Sequence, residues 1–288
     1  MKVLVTGAAG HLGAAITREF SRAHDVVALG RTDLDITDTP AVTRAVADAH
    51  PDAVINCAAY NQVDRAEDEP VRAFDVNAFG VQALARAAES AGAAFVHFGT
   101  DFVFDGSADR PYTEEDRPGP ISVYGASKLV GEWLAHDASR CYVLRVESLF
   151  GGLTAGGAAR RGSVGQIIDA LERGDDVRVF TDRTVSPSFA GDVANATRAL
   201  LERALPPGLY HCVNSGACTW NELAEEAARL LGVRARLTPM TLESVSFAAR
   251  RPRYCALSND KLRAAGIPMR HWRDALAEYL AARRVSEI

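Results

Sequence analysis

Lysine is nearly absent from this chain. Lys2, Lys128 and Lys261 are the three lysines among 288 residues, against 29 arginines spread along the whole length and gathered into no basic tail. With a formal net charge of −5, a broad nucleic-acid footprint is not expected. Cysteine is also sparse. The five cysteines, at 57, 141, 212, 218 and 255, form no C-x-x-C pair, which argues against structural zinc, leaves no metal site expected, and suits a reduced, cytoplasmic protein. Cys57 and Cys141 lie in apolar runs and are expected in the core. No apolar stretch approaches the roughly 20 residues that a membrane helix needs. Met1 leads into a strand-like run and not into a signal peptide. Internal repeats and low-complexity linkers are lacking too. What is abundant is apolar side chain: at 48% hydrophobic content the chain can bury a large core, as one domain or two.

The apolar residues are organised. Strand-like runs at 2–5, 25–29, 53–57, 94–98 and 141–147 alternate with helical patterns at 11–23, 39–49, 71–91 and 123–136. Such alternation predicts an α/β fold, a Rossmann-like doubly wound parallel sheet with helices on both faces. Ligands bind such sheets beyond the carboxyl ends of the strands. The second half is less regular. A Gly/Ala/Arg-rich loop is expected over 151–165, helices over 164–173, 190–204, 219–231 and 269–284, and strands over 177–180 and 208–213. Thr219 with Glu222 makes a capping box for the third of these helices. We expect residues 1–150, joined again by 177–204, to form a dinucleotide-binding domain. Residues 151–176 and 205–288 are expected to form a small C-terminal α/β substrate-binding lobe that closes a cleft.

Two motifs carry chemistry. The chain opens with an apolar strand followed by Thr6-Gly7-Ala-Ala-Gly10-His11-Leu12-Gly13 and an Ala-rich helix. Strand, glycine-rich turn and helix make the context in which a dinucleotide fingerprint is credible. The glycines let the backbone approach a pyrophosphate, and the helix N-terminus offers it free N–H groups and a partial positive charge. The second motif uses one of the scarce lysines: Lys128 follows Tyr124 by four residues in Ser122-Val-Tyr-Gly-Ala-Ser-Lys128. On a helix the two share a face. An ammonium beside the phenol is expected to lower its pKa and make Tyr124 a proton donor near neutral pH.

The nicotinamide cofactor can be chosen from the second strand. A carboxylate about 20 residues past the glycines would bond the ribose 2′-OH of NAD. Here the strand ends in Gly30-Arg31, and the planar donor fork of arginine suits a 2′-phosphate. NADPH is therefore expected. Asp35 and Ile36 would lie by the adenine, and Ala58, Ala59 and Tyr60 by the ribose and pyrophosphate.

With these motifs in hand, further segments resemble the dTDP-4-dehydrorhamnose reductase family of extended short-chain dehydrogenases/reductases. They are Leu34-Asp-Ile-Thr-Asp38, Pro51-Asp-Ala-Val-Ile-Asn-Cys-Ala-Ala-Tyr60, Val63-Asp-Arg-Ala-Glu67, Gly99-Thr-Asp-Phe-Val-Phe-Asp-Gly106 and Val123-Tyr-Gly-Ala-Ser-Lys-Leu-Val-Gly-Glu132. Gly208-Leu-Tyr-His211, Thr219-Trp220 and Arg251-Pro252 extend the likeness to nearly the whole chain. The resemblance implies an oxidoreductase in which Tyr124 donates the proton, Lys128 supports it and reaches the nicotinamide ribose, and Thr100 hydrogen-bonds the same carbonyl oxygen. It implies that Asp101 and Phe102, together with Glu147, Ser148, Arg183 and Arg251, contact the substrate. Asn77 falls where the family keeps an asparagine near the site, or else bonds its own helix. NADH would be tolerated beside NADPH.

Departures are visible as well. The family has Ser where this chain has Gly99, and Thr-Ser-Trp where Arg145 is followed by Val146-Glu147-Ser148. The missing tryptophan leaves the sugar itself open. Arg183, in Asp182-Arg183-Thr-Val-Ser-Pro187, either binds a diphosphate or braces Asp182. The leading expectation is NADPH-dependent reduction of a 4-keto-6-deoxy nucleotide sugar, dTDP-4-dehydrorhamnose to dTDP-L-rhamnose. The alternatives are a reductase or epimerase of another nucleotide sugar, and a non-catalytic regulatory subunit like that of methionine adenosyltransferase, since a fold alone does not carry function. A homodimer is compatible with the sequence, which does not specify it.

Overall fold

Buried parallel strands set the frame. In the computed structural model, which describes residues 1–151 and 162–286, the chain begins β1 (Lys2–Thr6), α1 (His11–Phe20), β2 (Asp25–Leu29), α2 (Thr39–Ala49) and β3 (Ala53–Asn56). Helices α3 (Arg65–Asp68) and α4 (Pro70–Phe74), a π-helical turn (Asp75–Phe79) and α5 (Gly80–Ser90) lead to β4 (Ala94–Thr100), and α6 (Val123–Ala135) leads to β5 (Cys141–Val146). The short β6 (Leu149–Phe150), α7 (Ser163–Arg173), β7 (Asp176–Phe180), β8 (Thr184–Val185), β9 (Ser188–Phe189), α8 (Ala190–Glu202) and β10 (Gly208–His211) follow. The chain ends with β11 (Cys218–Thr219), α9 (Trp220–Leu231), β12 (Arg236–Met240), α10 (Asp260–Ala264) and α11 (Trp272–Ser286).

The main sheet has six strands in the order β10-β5-β4-β3-β1-β2, all parallel. Its central strands β3, β4 and β5 are buried throughout, as a sheet covered on both faces requires. On one face, Leu12 and Ile16 of α1 and Val193 and Leu200 of α8 share a core with Val3, Ile55 and Val96. On the other, Val42 and Val46 of α2 and Leu84 and Ala88 of α5 pack on Leu4, Val54 and Phe95. The winding reverses between β1 and β3, so a crevice opens beyond their carboxyl ends. A separate core, including Ile168, Val179, Leu223, Trp272 and Leu276, holds together α7, α9, α11 and the parallel pair β7–β12. The capping box of α9 is present: Glu222 N–H donates to Thr219 Oγ1 at 3.1 Å, and Thr219 N–H donates to Glu222 Oε2 at 2.7 Å. Among the described residues, no helix is long and apolar enough to cross a membrane.

Several details differ from the sequence expectation. The strand at 208–211 pairs with β5 in the main sheet and not in the lobe, because Tyr210 buries against Tyr142 and Leu144 in the same core. Conversely, β7 pairs with β12 and does not return to the nucleotide-binding half, although α8 does. The expected single helix over 71–91 is broken by the π-helical turn, and the last helix begins at Trp272. Of the loop expected over 151–165, residues 152–161 lie outside the described residues, and helix α7 already begins at Ser163.

Helix α6, which carries the Tyr/Lys pair, approaches its neighbours through two glycines. A Cβ on Gly131 would lie 1.9 Å from Asn77 O of the π-helical turn, and one on Gly125 would lie 2.2 Å from Phe102 O. Gly131→Ala should therefore destabilise the fold by about 1–3 kcal/mol through overpacking, read as a lower midpoint in urea unfolding. An unchanged midpoint would mean that α6 shifts freely away from the sheet.

Candidate active site

The carboxyl ends of β1, β3, β4 and β5 open into a cleft of about 410 Å³ that the lobe borders with Arg183, Trp220 and Arg251. Gly10, His11 and Leu12 line one end. Gly7 has φ +65°, and a Cβ there would come within 2.6 Å of Ala58 N; a Cβ on Gly13 would come within 2.2 Å of Gly7 O. Both positions thus require glycine for the turn and for close packing. Gly10 caps α1 with no side chain, so the first N–H groups of a ten-residue helix have no capping side chain to bond. That is the donor set a pyrophosphate fits. Cys57, Ala58 and Ala59 continue the wall beyond β3. Cys57 is half-buried and faces the cleft; it is not core as expected, because β3 ends one residue earlier. Cys141 is buried.

Thr100, Tyr124 and Lys128 come together in this cleft. Thr100 Oγ1 donates to Asp101 Oδ1 at 2.9 Å and accepts from Phe102 N–H at 3.3 Å. The Tyr124 ring meets Phe102 edge-on at 5.4 Å. Burial pushes the Tyr124 phenol above its ordinary range, the neighbouring Asp101 carboxyl pushes the same way, and a hydrogen bond with Thr100 pulls it back. The expected depression of this phenol by Lys128 is therefore corrected. The lysine is turned toward β4, where Nζ donates to Phe98 O at 2.5 Å and lies 3.3 Å from His97 Nε2. Burial lowers the Lys128 ammonium to about 8.

Asp101, Glu147 and Cys255 place ligand atoms within 4.8 Å of one another, and the Arg183 guanidinium faces all three. Burial raises Glu147 well above the carboxylate range, with Asp101 adding to the effect, and burial likewise raises Asp101 while Arg183 opposes it. The Ser186 amide donates to Glu147 Oε2, and Ser148 adopts φ +42°. Asp101 Oδ2 and Arg183 Nε are buried without a hydrogen-bond partner. An orphan acceptor and an orphan donor in one wall match a hydroxyl group, which offers both functions. Arg183 does not reach back to Asp182, whose oxygens instead accept the Leu242 amide. It lies 5.5 Å over the Phe102 ring. Arg251 donates to Asp64 Oδ2 at 2.5 Å and also faces Phe102.

Seven expected residues are not part of the cleft wall: Gly7 and Gly13, which shape the turn, and the five that follow. Arg31 is exposed just beyond β2. Asp35 is exposed, its Oδ1 accepting from the Thr37 amide and hydroxyl. Ile36 is core, packed where a Cβ on Gly80 would fall 2.9 Å from its Cγ1. Tyr60 is buried and donates its hydroxyl to Glu69. Asn77 spends both amide hydrogens on Tyr60 O and Ser127 Oγ and accepts the Tyr60 amide. It clamps the π-helical turn to the Tyr60 backbone and to α6, and none of these bonds is to its own helix. Among the residues that carried no expectation from the sequence are Trp220, His97 and Asp33. Trp220 lines the cleft with an unpartnered indole N–H, although Thr219-Trp220 was already a recognisable segment. His97 lies beneath Lys128. Asp33 supplies an acid at the end of β2 after all, turned back to accept the Gly30 amide at 2.8 Å.

The RmlD substrate binding domain family matches residues 1–285. The chain belongs to this family. A dTDP-4-dehydrorhamnose reductase of Streptomyces griseus is 42% identical, the match covering 97% of this chain and 93% of that one. The crystal structure of a dTDP-4-dehydrorhamnose reductase ortholog from Clostridium acetobutylicum superposes with TM-score 0.92 at 35% identity, covering 99% and 100% of the two chains. That of the Bacillus anthracis dTDP-4-dehydrorhamnose reductase, in complex with NADP, gives 0.91 at 31% identity, covering 98% and 99%. The raised carboxyl of Glu147 lies in the segment Val146-Glu147-Ser148 that follows Arg145.

Its sign can be tested. A carboxyl whose folded pKa is raised contributes stability that is full below its unfolded pKa of about 4.3 and is lost as pH rises toward the folded value. Glu147→Gln keeps the shape and an acceptor for the Ser186 amide but does not titrate. The melting temperature of the variant should exceed that of the wild type by a margin that widens above pH ~4.3, on the order of 1.4 kcal/mol per pH unit until the folded pKa is reached. Parallel melting curves from pH 4 to 9 would show that Glu147 ionises normally.

Proposed function

We propose that this chain reduces the C4 ketone of dTDP-4-dehydrorhamnose to give dTDP-L-rhamnose, using NADPH. The observation that carries this reading is a buried phenol, Tyr124, kept protonated by its surroundings beside Thr100, at the carboxyl ends of a parallel sheet whose first turn fits a pyrophosphate. Reduction of a ketone needs a proton on oxygen, and a phenol that stays protonated at neutral pH is in the right state to give one. The relatives named above, one of them holding NADP, support the same chemistry.

NADPH supplies the hydride. Gly7, Gly10, His11, Leu12 and Gly13 would hold the pyrophosphate, with Ala58 and Ala59 beside it, and Arg31 would read the 2′-phosphate. Lys128 would hydrogen-bond the nicotinamide ribose. Tyr124 gives its proton to the ketone oxygen, and Thr100 turns its hydroxyl from Asp101 to that same oxygen. Asp101 Oδ2 and Arg183 Nε take sugar hydroxyls, which resolves two buried groups that lack partners. Trp220 and Phe102 supply the apolar surface that the absent tryptophan beyond Arg145 would have given. A nucleotide-sugar reductase of this kind works in the cytoplasm.

Tyr124→Phe should lower turnover at least ~100-fold, the scale of a lost general acid, while NADPH binding followed by fluorescence stays at the wild-type level. The assay is NADPH oxidation against a panel of 4-keto nucleotide sugars, with the product identified by NMR. No oxidation with any member of the panel would overturn the reading.

Arg31→Ala addresses the cofactor separately. NADPH binding should weaken by about 1–3 kcal/mol, the range for a hydrogen bond to a charged group, with NADH affinity nearly unchanged. Equal losses for both cofactors in calorimetric titrations would remove Arg31 from the 2′-phosphate site.

A further inference from the structure

Lys128 ends a buried hydrogen-bonded chain whose polarity can be read atom by atom. Asn56 Oδ1 accepts the Ala58 amide at 3.0 Å and the Thr6 hydroxyl at 2.8 Å. The backbone amide can only donate, so the carboxamide orientation of Asn56 is decided, and its Nδ2 faces His97 Nδ1 at 3.2 Å. Nδ2 carries only hydrogens, so His97 Nδ1 must accept. With Nδ1 bare, and with burial holding His97 well below its ordinary range, the ring is neutral. Its single proton then sits on Nε2, which lies 3.3 Å from Lys128 Nζ. An ammonium has no lone pair to receive that N–H. A neutral amine has one, and keeps two hydrogens, one of which serves Phe98 O.

We propose that His97 is a positioning residue that presents Nε2–H to Lys128 Nζ, so that Lys128 works as a proton-exchanging amine and not as a fixed ammonium. The inference rests on the reductase reading for its purpose. Each turnover moves one proton from Tyr124 to the ketone oxygen, and one must come back from solvent. In that return an N–H bond of the Lys128 ammonium breaks and the phenol O–H is restored, and the amine regains a proton from water. The other charged or titratable groups facing Lys128 are Cys57 beyond β3 and Glu132 on its own helix. Both favour the ammonium, but Glu132 is already taken by Arg145 of β5 at 2.7 Å. Lys128 is nonetheless lowered to about 8, consistent with a nitrogen that changes state near neutral pH.

The scarcity of lysine makes the test direct. Protein labelled with ¹³C,¹⁵N-lysine has three side-chain signals, from Lys2, Lys128 and Lys261. One should titrate near pH 8, apart from the other two. Long-range ¹H–¹⁵N spectra of labelled histidine should show His97 protonated on Nε2 and bare at Nδ1. His97→Gln can turn its carbonyl to Nζ, and the Lys128 titration should then rise by about 1 pH unit or more. A His97 proton on Nδ1 in the wild type overturns the proposal even if the variant does not fold, and so does a Lys128 titration unmoved in a folded H97Q protein. These readouts use no substrate. Their failure leaves the reductase reading standing, and failure of the sugar assay leaves the tautomer standing.

Discussion

A ladder of four buried polar side chains ties the working end of the sheet together. Thr6 ends β1, Asn56 ends β3, His97 lies in β4 and Lys128 belongs to α6, and all four are buried. Buried polar groups must find partners, and here each finds the next. The ladder crosses the switch point where the winding reverses. It therefore fixes the glycine turn, the wall beyond β3 and the helix bearing Tyr124 in one frame. The glycines of α6 serve the same end, since a side chain at 125 or 131 would hold the helix off its neighbours.

Burial then sets the chemistry of the cleft. Low dielectric favours neutral forms whatever the sign of the charge. Tyr124, Asp101 and Glu147 are pushed up, while Lys128 and His97 are pushed down. The exception is Arg183, which stays charged and balances the carboxyls around it. The cleft thus brings groups shifted toward their neutral, proton-donating forms beside a cation with an unpartnered N–H. Reduction of a ketone on a hydroxylated substrate needs both.

Local pattern made much of this legible. The strand–glycine–helix opening and the Tyr124/Lys128 spacing depend only on neighbours in the chain, and both sit where the sequence predicts. Apolar runs located β1, β3, β4 and β5 because strands buried on both faces must be apolar throughout, and the partly exposed edge strand β2 kept enough apolar character to be found as well. Pattern failed where the partner is distant. Tyr210 could not announce that it buries against Tyr142, so the strand at 208–211 was assigned to the wrong layer. Nothing in Asn77 alone distinguishes a cofactor contact from a clamp on Ser127, 50 residues away.

The electrostatics show the same division. That Lys128 and Tyr124 share a helix face follows from their spacing. What they do to each other does not, because the lysine amine turns to a strand carbonyl and a histidine from another part of the chain. The sequence around Gly30-Arg31 showed no acid at the end of the second strand, and only the folded turn brings Asp33 back onto the Gly30 amide. The sequence by itself determined the fold class, the glycine turn after the first strand and the shared helix face of Tyr124 and Lys128, since these rest on periodicity and on spacing. Tertiary structure alone decided which groups carry protons, which polar atoms lack partners, and which lobe residues face the cleft, since burial and hydrogen-bond geometry exist only once distant segments meet.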